Sequence, residues 1–202
     1  MPAIQHAAPR IPVLIKLEPV GQIGAWRVLL IDASTSYAVR SKAAEVAYTA
    51  CRDTPTLKIG YDGSTNEAGL RMYIVADGPL AIAMATVQTT NHCWKLRWVS
   101  PGKACVACIQ ADETQRARIG QVWVCHEYRG RKVAANLIDR ICANEVVERS
   151  KLGWQLPFSR QGRAFVQSIV AGEWFGDGAE GDLEDLLTDP PICPDALGSA
   201  YV

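Results

Sequence analysis

The sequence predicts an α/β fold of the α+β kind, a mixed and mostly antiparallel twisted sheet flanked by helices. Two long stretches repeat apolar residues at three-to-four spacing, and several shorter ones are rich in Val, Ile and Leu between Gly and Pro punctuation. In chain order they read as two strands, a helix, antiparallel strands, then strand, helix, strand and helix, an order that lays helices on a mixed sheet.

Pro12 to Leu17 and Trp26 to Ile31 read as the first strands, separated by Pro19, Gly21 and Gly24. Ser36 to Cys51 follows as a helix: Ala38, Val39, Ala43, Ala44, Val46 and Ala47 form its apolar stripe, and Ser34, Thr35 and Ser36 offer caps. Thr54 to Gly69, with Pro55, Gly60, Gly63 and Ser64, reads as loop. Leu70 to Ala76 and Leu80 to Thr89 flank Asp77-Gly78, a hairpin signal, and Cys93 to Val99 reads as a third antiparallel strand. Arg118 to Cys125 is a strand. Arg131 to Val147 is a helix with the stripe Val133, Ala134, Leu137, Ile138, Ile141, Cys142 and Val146. Gly153 to Ser159 is expected as a strand and Gly162 to Val170 as a short helix.

At 202 residues and 49% apolar, the chain is long enough to bury one core. The expected division is a folded domain over residues 1–175 and an acidic, Gly- and Pro-containing tail over 176–202. After Arg163 there is no Lys or Arg, while Glu173, Asp177, Glu180, Asp182, Glu184, Asp185, Asp189 and Asp195 all fall there. The body is correspondingly basic, which fits an anionic ligand, and the tail fits equally a solvated segment without a partner. Leu80 to Val87, an apolar run far short of the roughly 18 residues that cross a bilayer, argues against a membrane helix, and no secretory leader is recognised in MPAIQHAAPR; an intracellular protein is expected.

Seven cysteines, an odd number scattered through predicted strands and helices, suggest reduced thiols. Cys105 and Cys108 have the spacing of half a zinc site, but about four ligands are needed and no second pair follows, so no metal is expected. The six tryptophans read as core or edge packing, and no aromatic platform or recognition motif suggests a direct nucleic-acid site.

The chemistry points to Val122-Trp123-Val124-Cys125-His126-Glu127-Tyr128-Arg129-Gly130-Arg131-Lys132-Val133-Ala134, where a strand enters a basic, glycine-containing turn and then a helix. Unpaired N–H groups at a helix start and the helix dipole favour an anion, and Arg129, Arg131 and Lys132 add counter-charge. Gly130 lets the backbone approach a ligand closely. The same pattern also occurs as a plain solvated surface. Neither a Walker A loop nor a Rossmann fingerprint is present, which argues against ATP and NAD.

These residues resemble the acetyl-CoA motif of the GNAT N-acetyltransferases, whose R/Q-x-x-G-x-G/A turn corresponds to Arg129 through Ala134, with Lys132 where the first glycine is usual. The version most similar is that of the ESCO-type enzymes, which acetylate lysines of cohesin: Ile119-Gly120-Gln121-Val122-Trp123-Val124 resembles their Gly-Ile-Ser-Arg-Ile-Trp-Val strand, Leu156-Pro157-Phe158-Ser159 their Ala-Phe-Ser segment, and Trp26 to Asp32 with Tyr37 to Val39 and Glu45-Val46 their early strand and helix. The likeness spans roughly residues 12 to 175.

The resemblance implies a GNAT fold with acetyl-CoA as co-substrate in a splayed gap between Arg118 to Cys125 and Gly153 to Ser159. It implies that the backbone of Val122, Trp123 and Val124 holds the pantetheine arm, that the amides of Arg129, Gly130, Arg131, Lys132, Val133 and Ala134 hold the pyrophosphate, and that Phe165 packs near the adenine or pantetheine. An amine then attacks the thioester directly; Cys125 lacks the base and orienter of a cysteine nucleophile. A lysine of pKa about 10.4 costs roughly 4–5 kcal/mol to deprotonate near neutral pH, so a base is required.

By resemblance Asp139 takes the place of one family acid, and Ser159 contacts cofactor or substrate. Arg160 stands where the second acid is usual. Two readings of Asp139 stay open: a base partly desolvated beside the apolar stripe, or a helix-edge carboxylate paired with a surface Arg. Glu127 is a further candidate. The implied function is a nuclear protein-lysine acetyltransferase acting on a cohesin ATPase subunit in sister chromatid cohesion. The alternatives are a GNAT enzyme for a small amine or another protein, and an acetyl-CoA-binding module with impaired catalysis.

Overall fold

The computed structural model describes residues 7–53, 61, 69–98, 106–156 and 158–178. In chain order the elements are a 3-10 turn at Leu14–Lys16, β1 (Gly21–Ile23), β2 (Trp26–Ile31), α1 (Tyr37–Asp53), β3 (Arg71–Asp77), β4 (Leu80–Thr90), β5 (Cys93–Trp98), β6 (Val106–Asp112), β7 (Arg116–Val124), α2 (Val133–Glu145), β8 (Gly153–Gln155), α3 (Arg160–Ile169) and β9 (Glu173–Asp177). The fold is mixed α/β, mostly antiparallel, as the sequence predicts. It comprises two compact units, the described residues of Met1–Gln88 with Ile119–Val146 and those of Thr89–Arg118 with Val147–Val202.

In the first unit the strands are ordered β1-β2-β3-β4-β7. The β3–β4 hairpin closes where Asp77 pairs with Leu80, and Gly78 sits at φ +52°, a left-handed conformation that a residue without Cβ adopts cheaply. Alternation along the strands divides the core. Leu29, Ile31, Met72, Ile74, Met84, Trp123 and Cys125 pack with the Ala43, Ala44, Val46, Ala47 and Ala50 stripe of α1, whose short side chains let the helix lie close to the sheet. Tyr73 points to the other face, where its hydroxyl donates to Glu145 of α2 at 2.6 Å. The sheet of this unit therefore lies between α1 and α2. On α2, Val133, Leu137, Ile138 and Ile141 are buried, contributing about 1.5–3 kcal/mol each for the larger side chains.

In the second unit the order is β8-β9-β5-β6: β8 runs parallel to β9, and β5 runs antiparallel to both β9 and β6. Trp174 is buried and stacks on Trp98 and Phe158, with centroids 4.9 and 5.6 Å apart. A Cβ on Gly176 would come within 2.8 Å of Leu96 Cδ1 and 3.0 Å of Leu156 Cδ1, so only glycine fits there without repacking.

Several expectations need correction. Pro12 to Leu17 is not a strand: Leu14–Lys16 forms a 3-10 turn, pinned by the Arg27 guanidinium, which donates to the carbonyls of Ile15 and Leu17 at 2.6 Å each. β5 does not extend the β3–β4 hairpin; β4's second neighbour is β7. Gly153 to Gln155 alone forms β8, because Ser159 already caps α3. β1, β6 and β9 were not anticipated. Gly176 and Asp177, assigned to the tail, belong to β9, so the boundary expected after residue 175 falls inside a strand. The remainder of that tail, most of the Thr54 to Gly69 loop, Cys105 and the side chain of Cys108 lie outside the described residues.

Candidate functional site

The sequence-predicted cradle is formed within the first unit. Cys125 N–H donates to the Ile82 carbonyl and Gln121 N–H to Thr86 Oγ1, each at 2.8 Å, so Gln121 of β7 and Cys125 just beyond its end turn their amides toward β4. Strand alternation then directs the amides of Val122 and Val124 away from β4. Trp123, between them, is buried on the α1 face. The chain leaves β7 through a 3-10 turn at His126–Tyr128 and enters α2 after Arg129-Gly130-Arg131-Lys132.

At the start of α2 the first intrahelical bond is Asn136 N–H to the Lys132 carbonyl at 3.0 Å. The N–H groups of Val133, Ala134 and Ala135 find no acceptor among the described residues, no side chain caps the helix, and its first turn carries no acid. Three donors and the positive end of the dipole thus remain for an anion. Arg129, Gly130, Arg131 and Lys132 are all exposed. Gly130 has φ +75° and Lys132 φ +59°, both left-handed. Lysine at such an angle is strained, and the position is the one where the GNAT turn ordinarily has glycine.

The turn is propped from below. Tyr128 donates to Asp77 Oδ2 at 2.8 Å, a bond that pushes its hydroxyl above the ordinary range, and its ring meets Trp26 edge-on at 5.7 Å. Arg131 lies over the same ring, 5.3 Å from the centroid. Arg129 Nε donates to the Val124 carbonyl at 3.0 Å, tying a cation of the turn to the backbone expected to meet the pantetheine. Cys125 is fully buried; burial, then the charges of Glu127 and Asp53, push its thiol up, as for an inert core cysteine rather than a nucleophile.

The remaining expected residues are placed differently. Asp139 is exposed on α2, so the burial on which its role as a desolvated base depended is not found. Glu127 is exposed as well. In the second unit, Ser159 is the N-cap of α3, its Oγ accepting from Gly162 N–H at 3.0 Å, which occupies an acceptor site on the hydroxyl and leaves the O–H as a donor. Phe165 meets Trp154 edge-on at 6.4 Å. Arg160 opens α3.

Sequence reasoning missed one carboxylate. Asp53, the last residue of α1, accepts a hydrogen bond from Trp123 Nε1 at 2.9 Å. A signal was present: Asp53 stands three residues after Ala50, continuing the core-facing stripe, where an acid is out of pattern.

The described fold is that of the GNAT acetyltransferases. In particular, the chain is similar to the xEco2 acetyltransferase domain bound to a CoA conjugate, with 11% identity and a TM-score of 0.64 over 79% of this chain and 96% of that one. The xEco2 domain in a second structure gives 11% identity and a TM-score of 0.63 over 79% and 95%. A ribosomal-protein-alanine N-acetyltransferase from Brucella melitensis biovar Abortus 2308 matches with 14% identity and a TM-score of 0.46 over 73% and 92%. No protein-family model matches the chain, and neither does any curated protein.

Proposed function

We propose that this chain is an acetyl-CoA-dependent N-acetyltransferase whose acceptor is a protein lysine, of the ESCO type, acting in the nucleus on a cohesin ATPase subunit. The observation that carries the enzymatic reading is the anion cradle: unpaired N–H groups opening α2, flanked by Arg129, Arg131 and Lys132 and reached through Gly130. The finer choice of lysine and cohesin rests on the sequence resemblance, supported by the likeness in fold to the xEco2 domain.

In this reading acetyl-CoA supplies the acetyl group as an activated thioester. The amides of Arg129 to Ala134 hold its diphosphate, with the three cations neutralising charge. The outward amides of Val122 and Val124 align the pantetheine and polarise the thioester carbonyl. Asp139, by resemblance one of the family's acids, is exposed on α2.

The test is incubation with labelled acetyl-CoA and, separately, a cohesin ATPase head domain, polyamines and aminoglycosides. Label on head-domain lysines is the expected result. Label on the small amines alone overturns the protein acceptor, and tight binding of acetyl-CoA without transfer to anything marks a catalytically impaired module, the reading to which Arg160 in the acid's place belongs.

A further inference from the structure

We infer that Tyr128 is a positioning residue for acetyl-CoA: its ring, anchored by Asp77 and Trp26, holds the Arg131 guanidinium in place for the diphosphate before the ligand arrives. The inference rests on the acetyltransferase reading and names the side chain that pre-forms its cradle.

The turn needs such a support because little else holds it. Arg129, Gly130, Arg131 and Lys132 are all exposed, so burial does not fix them. Backbone bonding into the turn ends with Arg129 N–H on the His126 carbonyl at 3.2 Å and resumes with Asn136 N–H on the Lys132 carbonyl. From Gly130 to Ala135 no N–H finds an acceptor among the described residues. Lys132, at φ +59°, adopts an angle that a side chain disfavours, so the turn does not hold this shape by its own preference.

Among the described residues two side-chain contacts remain to the turn. Arg129 Nε donates to the Val124 carbonyl at 3.0 Å, and Arg131 lies over the Tyr128 ring, 5.3 Å from its centroid. The second contact is only as firm as the ring. That ring is anchored on two sides, within the same unit as the cradle. Its hydroxyl donates to Asp77 Oδ2 at 2.8 Å, at the end of β3, and Trp26, the first residue of β2, meets it edge-on with the planes at 76°.

The anchor also strengthens the grip. A phenol donating to a carboxylate is polarised toward phenolate, which adds electron density to the ring face that a guanidinium seeks. Asp77, Tyr128 and Arg131 thereby form a row of carboxylate, polarised ring and cation. Unlike a carboxylate, a ring holds the cation without neutralising it, so the charge stays available to a phosphate. An arginine with no partner spreads over many rotamers, and a ligand that must order it binds more weakly. Arg131 on a fixed ring is ordered beforehand.

Calorimetric titration of the full chain with acetyl-CoA tests the inference, using Tyr128→Phe, Tyr128→Leu, Arg131→Ala and the Tyr128→Leu/Arg131→Ala double variant. Loss of the ring in Tyr128→Leu should weaken binding about tenfold, and loss of the Asp77 bond alone in Tyr128→Phe about threefold. With Arg131 already replaced by alanine, Tyr128→Leu should cost less than about twofold more, because the two residues act as one. A merely structural role for Tyr128 would give the same loss with and without Arg131. That result, or full affinity in Tyr128→Leu, overturns the inference. Should Tyr128→Leu fail to fold, Tyr128→Phe in the two backgrounds makes the same comparison: a threefold loss confined to the chain with Arg131 supports the inference, and an equal loss or none overturns it. A wild type that does not bind acetyl-CoA overturns the acetyltransferase reading itself, and this inference with it.

Discussion

Glu145, closing α2, grips Arg71 of β3 with both carboxylate oxygens, Nε to Oε1 at 2.8 Å and Nη2 to Oε2 at 2.9 Å. Tyr73 adds its hydroxyl to Oε1 at 2.6 Å and itself accepts from Asn144 at 2.7 Å. Burial and the adjacent Glu145 push the Tyr73 hydroxyl far above its ordinary range, so it stays a donor. The far end of the helix that opens with the cradle is thereby fixed to the sheet.

Glu145→Gln should therefore destabilise the protein. Breaking a buried pair costs about 3–5 kcal/mol, and the partial exposure of both side chains, 20% and 13%, reduces this to about 2 kcal/mol. Urea unfolding checks the value; a loss below ~0.5 kcal/mol would show that the network holds nothing.

Lys132→Gly separates strain from ligand binding. Relief of the left-handed lysine should leave stability unchanged or raise it by roughly 0.5–1 kcal/mol, less what glycine adds to the unfolded chain's entropy. Loss of a charge-assisted contact to phosphate should weaken acetyl-CoA binding on the order of tenfold. Calorimetric titration and thermal unfolding read the two effects independently, and tighter binding would contradict the assignment of Lys132.

Much of this was legible in the sequence, and the reasons differ by element. The α1 and α2 stripes show because one helix face is buried and the other is not, and the basic turn shows because its residue types are unusual together. β1, with three residues, and β9, with five, are too short for alternation to register. The second-unit pairing of β5 with β9 joins residues about 80 apart, as in Trp94 with Gly176, which no local pattern encodes. Spacing alone leaves two readings of Asp139 open for a related reason: it lies beside the stripe, and a helix edge is buried only where a neighbour covers it, which here it is not. Asp53 was overlooked because its partner, Trp123, is 70 residues away.

Val146 is the clearest site for stabilisation. It ends α2 at φ 53° and ψ 49° with 91% of its surface exposed, so a β-branched residue bears a left-handed angle with no packing in return. Val146→Gly should raise stability by roughly 1 kcal/mol, seen as a higher denaturation midpoint at unchanged slope. A lower midpoint would mean that the side chain has a packing role.

Asp112 gives a pH-dependent term. Burial raises its pKa, but the Thr114 N–H and the Arg116 guanidinium outweigh it and hold the carboxyl below the usual range. A depressed folded value stabilises the protein above the unfolded pKa near ~3.9, and the contribution disappears as pH falls through the folded value. Asp112→Asn should accordingly be less stable than wild type at pH 7, with the two converging in acid; parallel stability curves down to pH ~2 would contradict this.

The most direct measurement is thermal unfolding with and without acetyl-CoA. A ligand at 100 times its Kd stabilises the folded state by about 2.7 kcal/mol. The account predicts a Tm that rises with acetyl-CoA concentration in the wild type and hardly moves in the Arg129→Ala/Lys132→Ala double variant. No rise in the wild type, or an equal rise in both, would contradict the claim that the opening of α2 holds the diphosphate.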